Sequence, residues 1–505
     1  LKRLRSNATN AENTEANAIT AFNSNGFSLG TEGSVNQSGD TFVSWTFRKQ
    51  PKFFDVLTWT GDGTGARSIP HNLESTPGFY TTKITNTASN WHSWHRSLAS
   101  GYGILLNSTN AASTSTDIAG ADATNINVTS SLNINGETYV AYLFAHDAGG
   151  FGDDGTENVI SCGAISGQQT VNIGFEPQWI LLKRTDLTGD WRIVDNMRGF
   201  TVADSNDAWL EPNTSDAEAS GDMVAPTSTG FFSDLNGDCI YIAIRRGPMK
   251  TPESGTEVFA VDTRTTGNPS YSSGFPVDMG WKRTVNAGSA TYVASRLTGT
   301  SFLATASTAA ESTDSGFVFD YMDGWAEDGL TNSNVYSWMF RRAPGFFSVV
   351  AYTGNGSTQD ISHNLAAVPE MMWIKRRDTT GYWPVYAAPL GNEAILQLET
   401  TGAVQTGATQ LNSTTPTASV FSLGATSGAN ASGGTYIAYL FASVPGVSKV
   451  GSYTGTGTTQ AINCGFSAGA RFVLIKKTSG TGSWYVWDSS RGITSGNDPY
   501  LLLNS

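Results

Sequence analysis

Five histidines and a few clusters of acids are the side chains in this 505-residue chain whose types could do chemistry. His92 and His95 flank Trp94, and two imidazoles so spaced are what a zinc ion would use. The positions 292 residues further on hold Pro384 and Ala387, so the pair is not carried by the repeat described below. His71 and His363 each sit in His-Asn-Leu ahead of a proline, which reads as a turn histidine bonded to backbone. Asp153 and Asp154 lie in a Gly-rich connector and read as solvated turn acids. The densest acid cluster is Asp320, Asp323, Glu327 and Asp328. Its oxygens are of the kind that hold Ca²⁺, but the EF-hand spacing is absent. No Ser-His-Asp set, phosphate loop or Cys-x-x-Cys occurs. Cys162 and Cys239 bracket one stretch of chain and read as buried free thiols rather than a bridge; Cys464 is the third. No catalytic residue, cofactor or metal site is expected.

The aromatics divide into two kinds. Trp91, Trp191, Trp383 and Trp484 recur at one phase of a repeat, the pattern of core or inter-domain packing. Trp94, Trp209 and Tyr382 have no matched partners between repeats, which is what exposed sugar-stacking side chains would show. These three are the candidate glycan contacts.

The repeat itself positions all of these residues. SWTFRKQPKFFDVLTWTGDG, starting at Ser44, returns as SWMFRRAPGFFSVVAYTGNG 293 residues later, starting at Ser337. Inside that long period lies a shorter one. Tyr139, Tyr241, Tyr336 and Tyr436, each in an apolar run that closes a unit, are spaced 102, 95 and 100 residues apart. A second signpost lies mid-unit: an apolar run, a basic pair, a polar turn, then Trp. Lys183-Arg184 with Trp191, Lys375-Arg376 with Trp383, and Lys476-Lys477 with Trp484 follow it. One unit keeps Lys282-Arg283 but has Tyr292 in place of Trp. Falling regularly at strand ends, the basic pairs read as solvated.

Ser, Thr, Asn and Gly separate short β-branched and aromatic runs, and no long stretch carries helical spacing. The predicted fold is all-β: a tandem array of β-sandwich-like domains, each about 100 residues, with a three-domain superrepeat. The run Thr-Tyr-Val-Ala-Tyr-Leu-Phe at 138–144 is apolar on both faces, so that strand is predicted to be central and covered on both sides. Pro- and Gly-bearing connectors set the boundaries. They give a partial C-type repeat at 1–48, an A-type domain at 49–149, a B-type at 150–251, a C-type at 252–343, a second A-type at 344–446, and a partial B-type repeat at 447–505. Both ends fall inside a unit, so the sequence reads as a window on a longer polypeptide. Short connectors suit end-to-end neighbours, so a linear stack is expected in preference to three units wrapped around a shared axis.

A net charge of −13 argues against nucleic acid as a partner. No segment approaches the roughly 18 apolar residues of a membrane span, so no membrane insertion is expected.

Blocks such as TYVAYLFA, FFSVVAYTGNG followed by ISHNL and WIKRR, and SWYVWDSSRGITSGNDPYLLLNS resemble tandem repeats in large virion proteins of marine tailed bacteriophages. The resemblance covers nearly the whole chain. It implies a non-enzymatic structural and adhesive virion component, a tail fibre or similar appendage on the particle surface. Other virion proteins, a host cell-surface glycan and further copies of the chain are the partners it implies. A capsid-surface or other virion structural protein is the alternative. A glycan-degrading depolymerase is a second alternative, but it needs paired carboxylates in a cleft, and no acid pair recurs at equivalent positions.

Overall fold

The structure, a computed structural model, describes residues 1–202, 207–286, 288–327, 334–492 and 498–505. Asp328, one of the clustered acids, lies outside the described residues. Strand dominates; among the described residues helix is confined to single turns such as Gly33–Asn36 and Ser427–Asn430.

Nine strands build a unit. In the first A unit they are β1 (Phe54–Thr60), β2 (Arg67–Pro70), β3 (Pro77–Ile84), β4 (His92–His95), β5 (Tyr102–Leu105), β6 (Ser113–Thr114), β7 (Ile118–Ala121), β8 (Asn125–Val128) and β9 (Thr138–Ala145). The large sheet runs β1-β9-β3-β4-β5-β6 and the small one β2-β8-β7, all antiparallel. The B and C units repeat both sheets strand for strand. The second A unit repeats the large sheet and keeps two strands of the small one. The array is therefore one of β-sandwich domains in a superrepeat of three.

The last strand of each unit is central and buried on both faces, for a reason visible in its alternation. In the second A unit, Tyr436, Ala438 and Leu440 face the small sheet and join the sandwich core. Ile437, Tyr439 and Phe441 face the other way, into a core shared with neighbouring units. The B unit divides Cys239, Tyr241 and Ala243 from Ile240, Ile242 and Ile244 in the same manner. A strand with period-2 side chains reads as a continuous apolar run only when both faces are covered. Burying one large apolar side chain contributes roughly 1.5–3 kcal/mol, so both faces stabilise the unit substantially.

The shared core shows that the array is not a linear stack. In the second half of the chain, Trp281 of the C unit lies 5.1 Å from Trp373 of the A unit and 5.7 Å from Phe472 of the following B-type repeat. Three consecutive units thus meet at one point. Phe259 of the C unit also lies 5.4 Å from Phe472, across the whole of the intervening A unit in sequence. The first half repeats this: Phe47 packs 5.5 Å from Phe144 and 5.8 Å from Trp179. Residues 1–251 form one closed ring of three sectors and residues 252–505 another. The expectation of end-to-end stacking fails because each large sheet keeps an apolar outer face, and three such faces bury one another only when wrapped.

Two segments that match paired strands of complete units are themselves unpaired. Residues 41–47 match the C unit's last strand, Val335–Phe340, which lies between Phe259–Thr263 and Met279–Thr284. Residues 1–48 contain no counterparts of those two partners. Residues 450–463 match the B unit's first two strands, whose pairing partners have no counterpart within 447–505.

The Tyr column in the sequence is not one structural column. Tyr139 and Tyr436 stack on Trp59 and Tyr352 at 4.9 and 5.2 Å. Their hydroxyls accept the amides of Ile134 and Ala431. In the B unit the residue facing the matching first-strand position, Ile165, is Cys239, and Tyr241 faces Gly163 instead.

Candidate functional site

Most of the chemistry-bearing residues named above bond to backbone or to one side-chain partner. His71 and His363 each accept an amide at Nδ1, from Leu73 and Leu365 at 3.3 Å. Each donates from Nε2 to a carbonyl, Asp122 at 3.1 Å and Thr417 at 3.2 Å. They are turn histidines in the plain sense. His92 and His95 part company: His92 faces Asp117 at 2.9 Å, while buried His95 accepts the Ser97 amide and donates to the Tyr241 carbonyl of the next unit at 3.1 Å. Burial pushes the His95 imidazole down to about 4. Asp154 caps Thr156, and Asp153 accepts from Thr251 across the connector. Glu327 of the acid cluster is taken by Lys282 and Tyr271. Cys162 and Cys239 are buried free thiols and Cys464 is a half-buried one.

The three aromatic candidates are half-buried and belong to different units. Trp94 stacks on Tyr80 at 5.5 Å. Trp209 lies under Arg192 and donates to Glu211. The Tyr382 hydroxyl accepts from Gln410. Among the described residues no ring contact joins them, so the fold does not bring them together.

What recurs instead is a set of ring-closing contacts. The in-phase tryptophans are all buried, and each indole N–H donates to the preceding sector: Trp91 to Arg5 O (2.9 Å), Trp191 to Leu105 O (2.9 Å), Trp383 to Ala304 O (3.2 Å) and Trp484 to Gln397 O (2.9 Å). In the A and B units the lysine at this strand end does the same, with half-buried Lys476 reaching Thr401 O at 3.1 Å. Lys83, Lys183 and Lys375 are at most 1 % exposed and reach the carbonyls of Thr9, Thr109 and Thr308 at 3.0–3.1 Å. The reading of the basic pairs as solvated is thus wrong for Lys183 and Lys375, because a neighbouring sector covers the strand end, while Lys477 is exposed as expected. In those two pairs the following arginine stays partly exposed, Arg184 and Arg376 pairing with Asp186 and Asp378. Burial lowers Lys183 and Lys375 to about 8. In the C unit the roles exchange: Lys282 turns inward to Glu327, and Arg283 donates to Ser505 O at 2.9 Å.

The contact between C-type and B-type sectors has its own chemistry, identical in both rings. Trp45 donates to Asp195 and Trp338 to Asp488, both at 3.0 Å. Arg198 and Arg491 pair with those same aspartates at 2.8 and 2.6 Å and lie over the indoles at 5.3 and 5.5 Å. Among the described residues this triad marks the C-to-B contact and distinguishes it from the other two.

Between the rings lies a cluster of buried charge. Arg342 clamps Glu176 with two bonds of 2.6 and 2.7 Å. Arg246 pairs with Asp278, whose other oxygen accepts the Arg342 amide at 2.6 Å. Beside the cluster, a cleft of about 550 Å³ opens between the B unit and the second A unit.

The chain belongs to the DUF7483 family, a domain of unknown function. The match covers residues 1–237 and 324–504. Each region takes in the end of a C-type sector, a whole A unit and the B-type sector after it, so the family's pattern follows the ring and not the single sandwich. No curated protein matches the chain.

Proposed function

We propose that the chain is a non-enzymatic structural and adhesive component of a bacteriophage virion, a tail fibre or similar appendage. The observation that carries this reading is the ring. One polypeptide closes three β-sandwich sectors about a common aromatic core, then repeats the same contacts 293 residues later. Such a chain builds a shaft of threefold character from covalently linked parts, resists local opening because each sector is clamped by two others, and displays loops in multiple copies. The likeness of its repeats to those of tailed-phage virion proteins supports the same reading. Host-surface glycans and other virion proteins are the partners, and the particle surface is the location. Immunogold labelling of intact particles with antibodies to this chain tests it. Label on a tail appendage is the expected result; label on the capsid shell would favour the capsid-surface alternative, and unlabelled particles would end the virion reading.

A further inference from the structure

Four asparagines are followed by glycine: Asn25, Asn135, Asn236 and Asn355, all of them exposed. A glycine carries no side chain to shield its amide, so that nitrogen can reach the side-chain carbonyl carbon of the asparagine before it, provided the chain is free to bring the two together. The fold withholds that freedom from three of the four. Gly136 donates its amide to Gly61 O at 3.0 Å. Gly356 donates to Asn430 O at 3.0 Å, and the Asn355 side chain is itself fixed, accepting the Ser357 amide at 2.8 Å. Gly26 opens the strand Gly26–Leu29 and is held opposite Asn23 across a two-residue turn. Asn236 differs. Among the described residues neither its side chain nor the Gly237 amide has a hydrogen-bond partner. The reason lies in how each unit closes the loop before its last strand. Both A units use a reciprocal pair of bonds: Gly61 donates to Glu137 O and Gly136 donates back to Gly61 O, and Gly354 does the same with Gly434 and Gly433. The B unit keeps half of this. Gly167 donates to Gly237 O at 2.9 Å, and among the described residues no amide of the loop returns the bond. Gly237 stands outside any strand at a φ of +93°, which glycine adopts without strain.

We propose that Asn236 is a deamidation site of the folded chain, a place where the B unit modifies itself with water as the only co-reactant. The Gly237 nitrogen attacks Cγ of Asn236, and the new N–C bond closes a five-membered imide. The bond from Cγ to Nδ2 breaks, and ammonia leaves with the proton that the glycine amide gives up. Water then opens the ring at either carbonyl, giving aspartate or isoaspartate, and nothing is oxidised or reduced. Either product adds one negative charge to a loop that already carries Asp234 and Asp238 and that packs, at Gly237, against the Arg184–Asp186 pair. Isoaspartate also lengthens the main chain by one carbon just ahead of the central strand Asp238–Arg245. The inference is independent of where the chain resides. Incubation of the full chain in mildly alkaline buffer, followed by digestion and mass spectrometry, tests it. An amide that is bonded in the fold must first open before it can react. The native chain should therefore convert Asn236 at least tenfold faster than Asn135 or Asn355, whose glycine amides are bonded. In denaturing urea the three should convert within a few-fold of one another. Conversion of Asn236 in the native chain no faster than that of Asn135 or Asn355 overturns the proposal. So does the same tenfold lead in urea, which would assign the rate to neighbours in sequence and not to the fold.

Discussion

A lysine at the end of a strand is ordinarily a solvated group, yet here Lys183 and Lys375 are buried donors to two carbonyls each, one in their own turn and one in the preceding sector. Replacing either by Met keeps the stem and removes the donor, leaving buried acceptors unmatched. Lys183→Met or Lys375→Met should lose about 1–3 kcal/mol of stability by urea unfolding. A wild-type midpoint would mean that water satisfies those carbonyls. His95 carries a pH dependence of known sign. Its folded-state value of about 4 lies below the ordinary 6.5, so the unfolded chain binds more protons in that window. Stability from His95 is therefore fully present above about pH 6.5 and declines as pH falls towards 4. Asp207 and Asp320, raised to about 6 by burial, act in the opposite sense over an overlapping range. The difference between wild type and His95→Gln, measured by thermal unfolding from pH 4 to 7, isolates the histidine. The variant should lose less stability on acidification, and parallel curves would exclude this role.

At the scale of elements, the outer face of each large sheet decides the assembly. The B unit's third strand, Pro177–Arg184, gives Trp179 and Leu181 to the ring core and Ile180 and Leu182 to its own sandwich. The C-to-B interface adds the Trp, Asp, Arg triad to this packing. Asp488 is fully buried and balances Arg491. Asp488→Asn leaves that guanidinium without its counter-charge and should destabilise the second ring by about 3–5 kcal/mol. Trp338→Phe removes the N–H bond and part of the ring beneath Arg491, and the lost bond should cost about 1 kcal/mol beyond the lost packing. Guanidinium unfolding followed by tryptophan fluorescence compares the two. The double variant should cost less than the sum, because one aspartate serves both partners. Strict additivity would show that the triad is not a unit.

For the whole molecule, closure of the ring is the property on which the rest depends. Residues 252–446 contain two complete sandwiches, yet the faces bearing Trp281, Phe340 and Trp373 would lack the cover that the last sector gives through Phe472 and Trp484. A fragment of residues 252–446 should bind a hydrophobic dye and self-associate, whereas residues 252–505 should do neither. Sedimentation velocity and dye fluorescence read both outcomes. A monomeric, dye-silent 252–446 fragment would mean that two sectors can shield each other, against the closed-ring account.

Much of this protein is legible from its residues in order. The β class, the unit length and the superrepeat follow from strand-length apolar runs broken by Gly, Ser, Thr and Asn, because local propensity and period are properties of neighbours in sequence. The run at residues 138–144 announced a strand covered on both faces, and the two His-Asn-Leu motifs announced backbone-bonded imidazoles. What covers that strand was not legible, nor why Lys183 should be buried. Both depend on groups about 75 to 220 residues away, such as Thr109 beside Lys183 and Ser505 beside Arg283. Spacing also aligned Tyr241 with Tyr139, although strand pairing places Cys239 in that position. The choice between a line and a ring was decided by which apolar faces remain uncovered once each sandwich has formed, and that quantity exists only in the folded chain.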